Sequence, residues 1–350
     1  MTSAGLPLRV GVIGCGTIAY WTHLRELRTL RGVRLVAAAD PDPAARDRAR
    51  SLTGVPVVES AEALLARDDV DAVVIAAPTG LHASLAVAAA QAGKHVYLEK
   101  PIATTASDAA RVVDALSGSG LVAAIGFNRR CHPAFEQGRA VLASGRLGAV
   151  RSVQMVFTEP SDHDVAANWR RRRESGGGVL LDLLSHHVDQ LRWTLDAEAR
   201  MVSAGLDSRH HEHDTAWVEL GFAGDVHALG YYSSGAGRAD HLTFVCERGV
   251  MTVDRFSPFV RVRVSRRFGY GVRRMLVPPT PASLRWRLER AWRPSWESSY
   301  RRALARFAAL CRGEPANLAT LADGQAALRV VLGVERAAAE GRRLPLEVES

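Results

Sequence analysis

The run Val10-Gly11-Val12-Ile13-Gly14-Cys15-Gly16-Thr17-Ile18-Ala19 constrains this chain more than any other stretch. Residues 8–13 are apolar and read as a buried strand; residues 18–30 carry a helical pattern. Between the two stands Gly-x-Gly-x-x-Ala. Gly14 permits the tight turn, and Gly16 has no side chain, so backbone N–H groups can approach a pyrophosphate. Ala19 is small enough for the helix to pack closely on the strand. The helix N-terminus then turns its partial positive charge toward the phosphates. Strand, loop and helix in this order predict a dinucleotide site built on Gly14, Gly16, Thr17 and Ile18. The competing reading is a structural glycine turn in an unrelated α/β domain.

A second strand, 34–39, ends in Asp40, whose carboxylate can accept hydrogen bonds from the adenosine ribose hydroxyls. Asp40 favours NAD, because its charge repels a 2′-phosphate. Arg46, close by in sequence, keeps NADP open.

The alternation continues. Short apolar runs at 57–58, 70–76, 95–98 and 121–126 follow helical patterns at 43–52, 61–66, 83–92 and 107–116. Strands apolar on both faces, separated by helices, predict a doubly wound parallel sheet. After Phe127 the pattern changes. A helix over 134–144 leads into valine-rich alternation at 150–157, 201–205, 216–222, 226–232, 241–246 and 250–253. Turns such as Ala223-Gly224-Asp225 and Arg248-Gly249 join several of these, which predicts an antiparallel sheet. One helix, 179–195, interrupts it, and two more follow at 298–312 and 321–340. A chain of 350 residues is too long for one ordinary core. Two domains are expected, 1–127 and 128–350. The Arg-, Pro- and Trp-rich stretch 256–294 reads as a variable surface insertion or lid.

The formal net charge is +8, yet of the 45 Lys and Arg residues only Lys94 and Lys100 are lysine. Such a bias points to nucleotide composition. No RRM, zinc-finger or helix-turn-helix pattern accompanies the charge, so no nucleic-acid partner is expected, only a mild attraction for anionic substrates. Four widely spaced cysteines form no C-x-x-C pair, which argues against a disulfide framework or a zinc knuckle. No apolar run approaches the roughly 18 residues a membrane span needs, and the run at 8–13 leads into a glycine loop, unlike a signal peptide. A soluble cytoplasmic protein without a membrane partner is expected.

Two further loops fall at the carboxyl edge of the parallel sheet, where ligands bind. Pro78-Thr79-Gly80-Leu81-His82 follows the strand 70–76. Pro78 and Thr79 can line the cofactor, and His82 either joins them or caps the next helix. Glu99-Lys100-Pro101 ends the strand 95–98. Proline keeps Lys100 out of the α region, so its side chain can project from the strand end. A chain so rich in arginine retains a lysine here, and an ammonium can exchange a proton where a guanidinium cannot. Glu99 can support the loop through a polar neighbour.

In the second domain, Asp182 and His186 stand four residues apart, one turn along one helix face, with Asp189 continuing the stripe and His187 turned about 100° away. Leu180, Leu181, Leu183, Leu184, Leu191 and Trp193 surround them, which favours a buried or cleft position. Asn128 and Arg129 follow the last strand of the first domain and border the cleft on this reading. His163, Trp169 and Arg170 precede the glycine run 176–178 and are substrate-contact candidates by proximity. Arg209-His210-His211-Glu212-His213-Asp214 has the look of a metal cluster, but it lies just before a strand, and no metal is expected.

These pieces together resemble the Gfo/Idh/MocA family, the glucose–fructose oxidoreductase and inositol dehydrogenase group. The match runs through the glycine loop, Pro78–His82, Glu99–Pro101, Gly126-Phe127-Asn128-Arg129-Arg130, and Gly176-Gly177-Gly178-Val179-Leu180-Leu181-Asp182-Leu183-Leu184-Ser185-His186. The resemblance implies a Rossmann domain followed by a substrate-binding and oligomerising α/β domain with a large open, mainly antiparallel sheet. It implies homo-oligomers, dimers or tetramers. It implies hydride transfer between NAD, or NADP, and a secondary alcohol or ketone of a sugar, sugar derivative or cyclitol. Lys100, Asp182 and His186 inherit catalytic and substrate-binding roles; Asn128, Arg129 and Trp169 are added as substrate contacts. Gly14, Gly16, Thr17, Ile18, Asp40, Arg46, Pro78, Thr79, His82, Glu99 and Lys100 form the expected cofactor set. The family commonly has glycine where Leu184 stands, and this bulk can reshape a substrate pocket. Two alternatives accompany the reading: an NAD-dependent glycosidase of the same family, and a non-catalytic NAD-binding regulator.

Overall fold

A computed structural model describes residues 6–160, 171–257, 259–265, 272–292 and 297–347. They form two compact units. The first comprises 1–128, 174–176 and 299–328; the second comprises 129–173, 177–298 and 329–350.

The first unit is built on a parallel sheet of β1 (Leu8–Ile13), β2 (Val33–Ala39), β3 (Val57–Val58), β4 (Ala72–Ile75), β5 (His95–Leu98) and β6 (Ala123–Ile125), in the order β3-β2-β1-β4-β5-β6. Each neighbouring pair is parallel. Buried runs such as Ala72–Ile75 can sit only in the middle of a sheet covered on both faces. Helix starts follow local chemistry. Asp42 caps α2 (Pro43–Thr53) by accepting from the Ala44 and Ala45 N–H groups, and Gly54 closes it in the left-handed conformation. Ser60 caps α3 (Ala61–Leu65), and Thr105 caps α5 (Ala106–Leu116). The helix after β1 opens as a π turn, Ala19–His23, and continues as α1 (Leu24–Leu27). Between α3 and α5, α4 (His82–Gln91) follows the loop after β4. Gly11 admits α3 against β1, since a Cβ there would stand 2.8 Å from Leu64 Cδ2.

The segment 299–328 packs with this first unit, although its place in sequence puts it in the second domain. Arg301 donates to Glu26 Oε2 at 2.9 Å, and the backbone N–H of Ile125 donates to the Ala319 carbonyl at 2.9 Å. Contacts so distant in sequence leave no local pattern.

The second unit carries a nine-stranded sheet. Its members are β7 (Val150–Thr158), β8 (Ala199–Asp207), β9 (Thr215–Phe222), β10 (Val226–Ser233), β11 (Ala239–Cys246), β12 (Gly249–Asp254), β13 (Arg261–Ser265), β14 (Val272–Met275) and β15 (Leu344–Pro345). The order is β14-β13-β12-β11-β7-β10-β9-β8-β15. Pairing is antiparallel except between β7 and β10, which run parallel. Period-2 burial, as in Ala239–Cys246, matches a sheet with one covered face. The helix α6 (Pro133–Ala143) packs on β12 through Gly138, where a Cβ would meet Val253 Cγ2 at 2.5 Å.

Within 256–294, read above as a variable surface insertion or lid, the described residues include regular structure. They form β13, the edge strand β14 and the helix α8 (Pro281–Trp292). The alternation Arg261-Val262-Arg263-Val264 buries Val262 and exposes the arginines. The helices α9 (Ser298–Cys311) and α10 (Leu321–Glu340) complete the chain. Among the described residues no helix is long and apolar enough to cross a membrane.

Candidate active site

The order of the first sheet reverses between β1 and β4, and the glycine loop lies at that switch point. Gly14 has φ +91°, and a Cβ on it would stand 2.7 Å from the Ala76 carbonyl oxygen at the end of β4. Only glycine satisfies both conditions. Gly16 differs: nothing lies within 4 Å of where its Cβ would be. That open space beside an exposed backbone is what a pyrophosphate needs. Gly16 and Thr17 are exposed and Ile18 half-buried. The Gly16 carbonyl accepts the Tyr20 N–H at 2.8 Å, so helical bonding starts at the loop itself. The fit to a dinucleotide is good on this geometry.

Asp40 reaches back over the loop. Its Oδ2 accepts from the Cys15 N–H at 2.7 Å, and its Oδ1 accepts from the Asp42 N–H at 2.9 Å. The carboxylate is thereby held beside the glycine turn, where an adenosine ribose would meet it. The Arg46 Nη1 donates to the Asp40 and Pro41 carbonyls at 3.0 and 2.8 Å, so its guanidinium caps the strand end. Burial, followed by the Asp40 charge, pushes the Cys15 thiol up to about 12. A thiol so far from ionising supplies no nucleophile.

The two other edge loops are braced internally. Pro78 is exposed, but Thr79 is buried and Gly176 lies against its side chain. His82 is buried: Nδ1 is 2.7 Å from the Pro101 carbonyl, and Nε2 is 3.0 Å from the Ala77 carbonyl. Burial pushes its pKa below the ordinary histidine value, against the pull of both carbonyls. His82 therefore ties one loop to the other, in place of the cofactor contact or helix cap expected from its position. Glu99 is likewise buried, with Oε1 2.8 Å from His23 Nε2. Its carboxylate meets a buried polar neighbour, the arrangement by which it can support the loop. Lys100 stands two residues beyond β5 at the carboxyl edge, half-buried, and joins Pro101 through a cis peptide bond.

Within the second unit, a π turn at Leu180–Leu184 carries Asp182, and His186 lies in the first turn of α7 (Ser185–Leu195). Single π turns of this kind recur at functional positions. Asp182 is half-buried and His186 is 7% exposed, its ring 6.3 Å from that of Phe157. Two of the three glycines before the turn, Gly176 and Gly178, are conformationally required. Gly178 has φ +86°, and a Cβ there would press on His213 Cβ at 3.1 Å.

Several neighbours expected at the site are spent on holding it. Arg129 is buried; its Nη2 meets Asp240 Oδ2 at 2.6 Å and its guanidinium lies 4.2 Å from the Phe157 ring centroid. Arg129, expected as a substrate contact, has its charge balanced by this carboxylate. Asn128 is buried too and donates to Ser299 Oγ at 2.7 Å, again a structural bond where a substrate contact was expected. Asp189 does not continue a reactive stripe: it is fully buried and paired with Arg130 Nη2 at 2.6 Å. His187 sits between the Tyr232 hydroxyl and Asp240 Oδ1, 3.1 Å from each. Leu184 is fully buried, so its bulk enters the core of the unit. His163, Trp169 and Arg170 lie outside the described residues.

The histidine-rich segment 209–214 forms a turn. Asp214 Oδ2 accepts the His210 and His211 N–H groups at 2.6 and 3.1 Å, and His211 Nε2 lies 2.7 Å from Ser234 Oγ. The His213 carbonyl accepts from Val179 at 2.9 Å, which docks the start of the π turn. Among the described residues no group of three or more His, Cys, Asp or Glu is arranged to hold a metal. His23 and Asp240 are the residues that sequence inspection passes over, for each acquires meaning only from a distant partner.

The fold and the loop at its switch point define a nicotinamide-dinucleotide oxidoreductase. The chain belongs to the Gfo/Idh/MocA family: residues 8–127 match the family's NAD-binding Rossmann model, and residues 135–252 match the GFO/IDH/MocA C-terminal domain. It is 33% identical over 266 residues to a dTDP-3,4-didehydro-2,6-dideoxy-alpha-D-glucose 3-reductase of Saccharopolyspora spinosa, covering 72% of this chain and 76% of that one. It is 33% identical over 264 residues to an inositol 2-dehydrogenase of Acidothermus cellulolyticus, covering 73% and 75%. A 3-ketoreductase from Actinomadura kijaniata, solved with TDP-benzene and NADP, superposes with a TM-score of 0.77 at 25% identity over 95% of this chain and 98% of that one. These relatives are dehydrogenases and reductases, and no observation favours the glycosidase or regulator alternatives.

Proposed function

We propose that this chain oxidises or reduces a secondary alcohol or ketone on a sugar, a sugar derivative or a cyclitol. The observation that carries the reading lies in the first unit. Lys100 follows β5 by two residues, at the same sheet edge where the glycine loop follows β1. A residue able to exchange a proton thus shares an edge with a dinucleotide cradle. The bound nicotinamide accepts or returns the hydride; the protein supplies position and proton management.

In the oxidative direction, His186 takes the hydroxyl proton as the carbinol C–H bond breaks, and later gives it to solvent. Lys100 donates a hydrogen bond to the same oxygen and stabilises its developing charge. Asp182 orients His186 or holds a neighbouring hydroxyl. Help of this kind is worth about 10²–10⁴-fold. Gly14, Gly16, Thr17, Ile18 and Pro78 hold the dinucleotide, and Asp40 takes the adenosine ribose with a preference for NAD.

The outer face of the second sheet supports a homo-oligomer. Trp217 is 48% exposed and Leu229 55% exposed on adjacent strands, with Tyr231 paired opposite Trp217. Apolar residues in a row on an open sheet suit self-association. A reducing cytoplasm agrees with four buried, unbridged cysteines.

The test is a panel of inositols, free sugars and nucleotide-linked sugars, each with NAD and NADP, followed at the nicotinamide absorbance. Turnover on one substrate class with NAD above NADP is expected. Silence on every polyol and ketone, with tight NAD binding intact, overturns the reading.

A further inference from the structure

We propose that His23 is a positioning residue for Lys100 and acts through Glu99. The inference rests on the role given to Lys100 above. His23 closes the π turn that follows the glycine loop and is completely buried. Its Nε2 stands 2.8 Å from Glu99 Oε1, a partner 76 residues away. Its Nδ1 has no partner among the described residues. A buried N–H without an acceptor is costly, so Nε2 is the ring nitrogen that carries a proton, and it donates to the carboxylate.

Neither partner has room to turn away. The rings of Tyr97 and Tyr300 stand edge-on to His23, at 6.0 and 5.7 Å between centroids. Behind Glu99 lies Gly126, where a Cβ would be 3.0 Å from Glu99 Cα, Cδ and Oε1. The Glu99 N–H donates to the Ile75 carbonyl at 3.0 Å, which ties the backbone to β4. On the far side of Lys100, the Pro101 carbonyl is held by His82. Lys100 is therefore bracketed by two residues, each anchored to a buried histidine. A carboxylate this deeply buried needs a donor; without one it must swing toward water or stay neutral. Either change shifts the residue that follows it, and misplacement of a reacting group by about 1 Å can cost on the order of 10²-fold in rate. The brace also joins the helix that receives the dinucleotide to the loop that presents the lysine.

The chain's two lysines make a direct test practical. Protein grown with lysine labelled by ¹³C at the ε-carbon gives two side-chain signals, and Lys94→Arg identifies that of Lys100. Lys94 donates to the Arg67 and Val70 carbonyls, away from the brace. Signals are recorded with NADH for the wild type, His23→Leu and His23→Gln. Leucine cannot donate to Glu99, whereas the glutamine amide can. The Lys100 signal is expected to move in His23→Leu and to return in His23→Gln, with the Lys94 signal unmoved. On the substrate found by the panel, kcat is expected to fall at least tenfold in His23→Leu, with KM and NADH affinity within twofold, and to recover mostly in His23→Gln. A Lys100 signal at the same place in all three proteins overturns the proposal. So does a glutamine variant as impaired as the leucine variant when both melt like the wild type. If His23→Leu does not fold, Glu99→Met, whose side chain cannot accept from the ring N–H, takes its place, and an unmoved Lys100 signal there is equally fatal. The NMR readout needs no substrate, so a silent panel would sink the proposed reaction without touching this measurement.

Discussion

Arg129 and Asp240 form a buried ion pair 111 residues apart in sequence, with Nη2 2.6 Å from Oδ2 and Nη1 2.9 Å from Oδ1. Burial raises the Asp240 pKa, but Arg129 first and then His187 outweigh it, and the carboxyl is held at about 2. Asp240→Asn keeps the shape and removes the charge. Arg129 is then buried without its counterion, which typically costs about 3–5 kcal/mol. Urea unfolding at neutral pH measures it. A loss below about 1 kcal/mol would mean that Arg129 finds another partner.

Acid should weaken the second unit before its carboxylates titrate. Burial holds His187 and His132 below the ordinary histidine value of 6.5. As pH falls through 6.5 the unfolded chain takes up protons that the folded chain refuses. Stability contributed by the two neutral rings is complete above that pH and is lost below it, at up to about 1.4 kcal/mol per pH unit for each ring. The depressed Asp240 adds a second loss only as pH falls from 3.8 toward about 2. Calorimetric melting between pH 8 and 5 should show a flat limb and then a decline. A melting temperature that rises below pH 6.5 would show the rings to be charged in the folded protein.

The two glycines of the loop should fail differently. Gly14→Ala must place a Cβ at φ +91° and 2.7 Å from a carbonyl oxygen, so it should cost about 1–3 kcal/mol of stability. Gly16→Val meets nothing within 4 Å, so stability should stay within about 0.5 kcal/mol. Its side chain fills the space left for the pyrophosphate, and NADH affinity should fall more than about tenfold. Calorimetric titration beside thermal melting separates the two effects. Equal behaviour of both variants would remove the distinction.

Lys100→Met should bind NADH within about threefold of the wild type and lose about 10²–10⁴-fold in kcat, the range of positioned proton-transfer groups. The measurement is steady-state turnover on the panel substrate, with NADH binding followed by fluorescence. Unchanged turnover would reject the role given to Lys100.

Much of the first unit was readable from residues 6–128. The strand β1, the Asp42 cap before Pro43 and the closing Gly54 are all local devices, and their chemistry is written in adjacent residues. The loop Gly14-Cys15-Gly16 is legible for the same reason. The strand β13 was legible in principle, because Arg261-Val262-Arg263-Val264 alternates, but the arginines and nearby prolines hid it.

The charged neighbours of the candidate site were not legible. Arg129, Asn128, His82 and Glu99 look like ligand contacts because they are polar residues next to motifs. Whether a polar group faces a ligand or a buried partner depends on what folds against it, and those partners are far away in sequence: Asp240, Ser299, the Pro101 carbonyl and His23.

Period, glycine and proline act over a few residues, so the parallel sheet, the dinucleotide turn and the place of Lys100 just beyond a strand could be read from adjacent residues. The packed tertiary structure settles which polar groups are already satisfied. It returned 299–328 to the first unit and set His23 behind Glu99, because burial makes every polar atom find a partner wherever in the chain that partner lies.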